Sequence, residues 1–235
     1  PQGIGQLRIV YATDIHKGGL YTDARLDSLI SHINACNADI VLLGGDYAVD
    51  SAGAIEFFRT MPRIHSRYGV YAVLGNHDRT IPEANLTTLR SAMQSAGVTP
   101  LINSVSRVRI GVSDIYIAGI DDVDNGRPDL KGVAGQVRAD DYVIFLSHSP
   151  AIIPDALSAK DQSGHTGWFD LGLFGHTHGV GHVAAIGVDH LHEFLRHGRG
   201  AMQNDGEVGQ TLGNFLQNVE AQRRRNQNAL LVNGA

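Results

Sequence analysis

Eight side chains able to hold a metal ion or move a proton stand in short clusters along this chain: Asp14 and His16, Asp46, Asn76 and His77, His148, then His176 and His178. Each cluster follows an apolar run. Gly75-Asn76-His77-Asp78 is the densest of them, and by itself it would read as a tight turn, because Asn and Asp suit turns at strand ends. What argues for chemistry is that five separate apolar runs end the same way. Carboxylate, carboxamide and imidazole donors without a thiolate suit borderline or hard divalent ions such as Mn, Fe or Zn, with Ni or Co also admitted. The seven donors Asp14, His16, Asp46, Asn76, His148, His176 and His178 exceed one tetrahedral site, whereas two ions sharing a bridging carboxylate would use all of them. Two divalent ions bring four positive charges against the two carboxylates, Asp14 and Asp46. The surplus suits a bridging hydroxide and a phosphoester oxygen, and ions about 3.5–4 Å apart form a clamp for in-line displacement at phosphorus. His77 has no place in either set, which leaves it free to protonate a leaving group.

The elements that must position these groups alternate strand and helix. Leu7 to Ala12, Asp39 to Leu43 and Val70 to Leu74 read as buried strands. Between the first two, Leu26, Leu29, Ile30, Ile33 and Cys36 mark the buried face of a helix, and a helical stretch around Ala54 to Met61 joins the second and third. Pro82 suits a first helical position, Leu86, Leu89 and Met93 form a buried stripe, and Gly97 is the expected stop. This alternation predicts a parallel sheet with crossover helices. Val105 to Val112 and Asp114 to Ile120 then read as an antiparallel pair, and Gly119 to Leu130 as a polar loop bordering a pocket. Tyr142 to Leu146 and Leu171 to Phe174 are two further strands. In open sheets of this kind ligands gather at the carboxyl ends of the strands, so the five endings should meet in space.

Composition limits the alternatives. The chain has 235 residues, 43% of them hydrophobic, enough for one substantial domain over residues 1–235, with the motifs in 1–182 and a divergent, mostly helical tail over 183–235. A net charge of −5, from 24 acidic and 19 basic residues, argues against nucleic-acid binding. Cys36 is the single cysteine, so neither an internal disulfide nor a thiolate cluster can form. No apolar run reaches about 18 residues, so no transmembrane segment is expected. The chain begins at Pro1, and any leader or anchor would lie outside it.

With Asp14-Ile15-His16, Gly45-Asp46, Gly75-Asn76-His77-Asp78, His148 and Gly175-His176-Thr177-His178 in this order, the chain resembles the calcineurin-like metallophosphoesterases. The stretch Tyr68 to Asp78 is most similar to the bacterial phosphodiesterase branch that works at membranes or the cell envelope. The resemblance implies a four-layer αββα sandwich of two mixed sheets. It assigns Asp14, His16 and His178 to one metal, Asn76, His148 and His176 to the other, Asp46 to the bridge, and catalysis to His77. It implies a phosphodiesterase acting on a small-molecule or lipid-linked phosphoester, with a broad-specificity phosphomonoesterase or a non-catalytic metal-binding scaffold as alternatives. The cytoplasm and the periphery of a bacterial membrane or envelope both remain open as locations.

Two departures stand out. Many members carry an Asp three residues after the bridging aspartate to orient the catalytic histidine; here that position is Val49, with a carboxylate at Asp50. A local bulge, Asp78 or a backbone carbonyl must then orient His77. After His178 the branch usually continues Gly-Gly-Gln and further strands, whereas this chain reads Gly179-Val180-Gly181-His182. Residues 179–184 also match a dinucleotide pattern, G-x-G-x-x-A, with no supporting acidic residue. Val208, Leu212, Phe215, Leu216 and Val219 form an amphipathic helix that could pack across the sheet or mediate self-association.

Overall fold

In a computed structural model, the described residues are 7–18, 22–80, 83–177 and 182–185. Pro1–Ala185 form one compact unit. The amphipathic segment from Val208 to Val219, its proposed self-association, and Pro82 lie outside the described residues.

The first sheet contains β1 (Ile9–Ala12), β2 (Ile40–Leu43), β3 (Val70–Ala72) and β4 (Val98–Pro100), in that order and parallel throughout. Helices α1 (Asp23–Ala35), α2 (Ser51–Thr60) and α3 (Glu83–Ser95) make the crossovers. The second sheet runs β5 (Ser104–Ile110), β6 (Ser113–Gly119), β7 (Val143–Leu146), β8 (Leu171–Phe174) and β9 (His182–Ala185). Here β6, β7 and β8 are parallel, and the outer pairs β5/β6 and β8/β9 are antiparallel. Two short helices, α4 (Leu130–Ala134) and α5 (Ile153–Ser158), belong to the β6–β7 and β7–β8 connections.

Strand period decides the layers. Alternate residues of a strand face opposite sides, and these strands are apolar on both, as a sheet covered on both faces requires. Val41 and Leu43 face the helices and pack with Leu26, Ile30, Phe57, Leu89 and Met93. Ile40 and Leu42 face the other way and meet Ile117, Ile144, Leu146 and Leu173 of the second sheet. On the far side of the second sheet, Phe145 packs edge-on against Trp168 at 5.0 Å and against Phe174 at 6.0 Å. The layers are therefore helix, sheet, sheet, helix, as expected, with the antiparallel pairs confined to the second sheet.

Three local expectations need correction. Cys36 is exposed, because α1 ends at Ala35 and Cys36 is its C-terminal cap, beyond the buried stripe of Leu26, Ile30 and Ile33. Residues 183–185, read as the start of a mostly helical tail, form with His182 a strand pairing Phe174 with His182 and Leu171 with Ala185. A four-residue run is too short to display its period, and pairing with β8 settles its conformation. That strand also removes the dinucleotide reading, which requires a helix to open at those residues.

Candidate metal centre

The carboxyl ends of β1, β2 and β3 in one sheet, and of β7 and β8 in the other, carry all the described candidate residues. Backbone bonds tie these ends together. Asp14 N donates to Gly45 O at 3.0 Å and His16 N to Asp46 O at 3.0 Å, carrying β1 past the end of β2. Across the sheets, His148 Nδ1 lies 2.8 Å from Gly44 O, and His176 N donates to both oxygens of Asp14 at 3.0 Å.

Asp14, His16, Asp46 and His176 all have left-handed backbones, with φ of 55°, 47°, 55° and 72°. Such conformations are uncommon outside glycine, but Asp and His tolerate them, and they gather where a fold re-aims side chains at a site. Close approach adds a second demand. A Cβ on Gly75 would collide with the Asp46 carboxylate, and one on Gly45, itself at φ +99°, would fall 2.6 Å from Gly75 N.

Asp46 is central and 1% exposed. Its Oδ2 lies 3.5 Å from His16 Nε2 and 3.2 Å from His148 Nε2, while Oδ1 accepts from His77 N at 3.0 Å. Two donor groups share it, His16 with His77 and Asp14 with His148, each with ligand atoms within 4.8 Å of one another. Asn76 and His176 complete the described cluster, with His176 Nδ1 3.1 Å from Asn76 Oδ1. Six of the seven candidate ligands thus adjoin one another; His178 lies outside the described residues.

His148 tests whether a cation fits. Its Nδ1 is engaged by the Gly44 carbonyl, which fixes the other ring nitrogen, Nε2, as the one facing Asp46. That nitrogen is buried and makes no hydrogen bond of good geometry, although a carboxylate oxygen is 3.2 Å away. An imidazole lone pair facing a carboxylate needs a positive charge between them. Burial alone would lower the His148 pKa, but Asp46, with help from the Gly44 carbonyl, holds it at about 9, so a proton fills the role in the metal-free protein. Burial alone would likewise raise the Asp46 carboxyl, yet His148 and the His77 N–H hold it below its usual range. A divalent ion fits the position of that proton, and the donor set of imidazole, carboxylate and carboxamide suits it.

The orientation of His77 is settled by a backbone carbonyl. His77 Nδ1 is 2.8 Å from Val49 O, the main chain of the residue where the family resemblance implied an Asp. Asp50 instead caps α2, accepting from Gly53 N at 2.7 Å. Asp78 is fully buried and accepts from Asp46 N, Tyr47 N and Gly75 N at 2.7, 3.1 and 2.9 Å. It fixes the two loops that carry Asp46 and Asn76. Burial pushes its pKa up to about 7 against these three donors.

Sequence reasoning missed a second buried cluster. Arg79 Nε lies 2.9 Å from Asp121 Oδ1 and Nη2 donates to Oδ2 at 3.0 Å, both side chains 4% exposed. Asn125 Nδ2 donates to Asn76 O at 3.0 Å. The stretch after β6 was legible as a polar loop; nothing marked Arg79 as its anchor. Among the described residues no helix is long and apolar enough to cross a membrane.

The chain is 28% identical over 178 residues to the uncharacterized metallophosphoesterase YkoQ of Bacillus subtilis, covering 74% of this chain and 62% of that protein. It is 26% identical to a Bos taurus transmembrane protein with metallophosphoesterase domain, covering 80% of this chain and 44% of the other. It therefore spans less than two thirds of these relatives. The phosphopantetheinyl hydrolase of Mycobacterium tuberculosis superposes with a TM-score of 0.48 at 15% identity, covering 80% of this chain and 92% of that one. The calcineurin-like phosphoesterase family model matches residues 7–180, well over half the sequence, and the chain belongs to that family.

Proposed function

We propose that this chain hydrolyses phosphoesters with the help of two divalent cations and prefers phosphodiesters. The observation that carries the reading is the buried Asp46 carboxylate, whose Oδ2 faces His16 Nε2 at 3.5 Å and His148 Nε2 at 3.2 Å, with His77 beside it and anchored through Nδ1. Asp14, His16 and His178 would hold one cation and Asn76, His148 and His176 the other, with Asp46 between them. When bound, such a pair lowers the pKa of water to make a nucleophile and neutralises phosphoryl charge.

The protein's own groups then set geometry and protonation. With Nδ1–H donated to Val49 O, His77 keeps Nε2 as the atom that carries a proton to the departing oxygen. His16 packs edge-on against the His77 ring, centroids 4.9 Å apart, and limits its rotation. Asp14 and Asp46 leave two of four metal charges uncompensated. A nucleophile and a phosphodiester, each with one negative charge, match that surplus; a phosphomonoester dianion exceeds it. A small-molecule or lipid-linked diester fits this reading.

The test is metal analysis joined to hydrolysis of bis-p-nitrophenyl phosphate and p-nitrophenyl phosphate. His77→Ala should keep its metal and lose roughly 10²- to 10⁴-fold in turnover, whereas Asp46→Asn should lose metal. Full activity in His77→Ala would remove its assigned role, and faster turnover of the monoester would reverse the substrate preference.

A further inference from the structure

The loop after β6 joins the two sheets at the edge where the candidate ligands meet. Arg79 lies two residues beyond His77, on the first sheet's side; Asp121 follows β6 in the second. Their fork is buried at both ends. Asp121 Oδ2 also accepts from Arg127 N at 2.9 Å, and Oδ1 from Asp122 N at 2.9 Å, so one carboxylate closes the loop and fastens it to the first sheet. Asp122, 1% exposed, accepts through Oδ2 from Asp124 N at 3.0 Å and Asn125 N at 2.6 Å. That bond fixes the backbone from which Asn125 reaches the Asn76 carbonyl.

Asn76 makes two demands on its surroundings. Its side-chain oxygen must face His176 and a cation, and the peptide that carries it must hold its plane while that oxygen is held. Asn125 Nδ2 supplies the second constraint from the opposite sheet.

We infer that Asn125 is a positioning residue for the metal centre, holding the Asn76 peptide so that the Asn76 carboxamide faces the cation, with Asp122 and the Arg79–Asp121 fork holding Asn125 in place. The inference rests on the proposed assignment of Asn76 as a ligand. Partners beyond the immediate ligands commonly set metal affinity by 10- to 100-fold. Asn125 is exposed, so it can be changed without opening the core.

Two variants separate its roles. Asn125→Leu keeps the branched shape and loses the donor. Asn125→Asp also loses the donor but adds a negative charge, which by Coulomb attraction alone would tighten cation binding. Mn²⁺ titration by calorimetry should show both variants binding at least one ion about 10- to 100-fold more weakly than the parent. Their melting temperatures in EDTA should fall by no more than the few degrees that one lost hydrogen bond accounts for, since the bond orients a ligand and supports no core packing. Parent-like affinity in Asn125→Leu, or tighter binding in Asn125→Asp, overturns the inference. So does a fall in metal-free unfolding free energy as large as the loss of binding free energy. A parent that binds no Mn²⁺ would instead overturn the two-cation reading, so the two failures are distinguishable.

Discussion

In the metal-free protein, folding stability should fall as pH rises from 6.5 to about 9, and Asp46→Asn should abolish most of that fall. The cause is the pair of buried groups 3.2 Å apart, His148 Nε2 and Asp46 Oδ2. In the unfolded chain the imidazole titrates near 6.5; in the fold burial opposes its charge, but Asp46 outweighs burial and holds it at about 9. A raised histidine stabilises fully below its unfolded pKa and loses that contribution as pH climbs through its folded one. The interval corresponds to roughly 3 kcal/mol, at about 1.36 kcal/mol per tenfold change in proton affinity. Asp78, raised by burial to about 7, acts in the same direction at lower pH, between its ordinary 3.8 and 7. Denaturant unfolding in EDTA at pH 6.5 and 9.5 measures the His148 interval directly. Saturating Mn²⁺ should flatten it, because the cation replaces the proton between the two side chains, and binding at pH 7 should release protons. A level EDTA profile between pH 6.5 and 9, or an undiminished fall in Asp46→Asn, would refute the reasoning.

Breaking the buried fork should be costly and largely reversible by removing its second half. Arg79→Leu should destabilise by about 3–5 kcal/mol in urea unfolding, because it leaves Asp121 charged and buried. The double variant Arg79→Leu, Asp121→Leu should recover much of that loss; additive losses would show that the charge pair is not the cause. Asn103 holds the same loop from β5's side, with φ at 53°, accepting from Asp121 N and Asp129 N and donating to Arg127 O. Asn103→Ala should cost about 4 kcal/mol, from three hydrogen bonds of about 1 kcal/mol each and about 1 kcal/mol of left-handed strain. Asn103→Gly should cost less by about 1 kcal/mol, because only the alanine adds left-handed strain; equal melting temperatures for the two would contradict that division.

What the sequence determined by itself is what neighbours in the chain can encode. Val70 to Leu74 alternates faces as any strand does, and Gly75-Asn76-His77-Asp78 follows it directly, so strand, ending and donor types were all legible. Five such endings, with the parallel rule for strand–helix–strand units, placed Asp14, Asp46, Asn76, His148 and His176 at one edge before any coordinates. How His77 and Asp78 are held came only from tertiary structure. His77 is oriented by Val49 O, 28 residues away, Asp78 serves Asp46 N across 32, and Arg79 meets Asp121 across 42. None of these bonds has a local pattern, because each partner is chosen by which loops the two sheets bring together. The carbonyl of Val49 is the clearest case: every residue has one, so side-chain spelling carries no sign of which will point at an imidazole. Strand β9 was hidden for the same reason, since four residues show no period until β8 lies beside them.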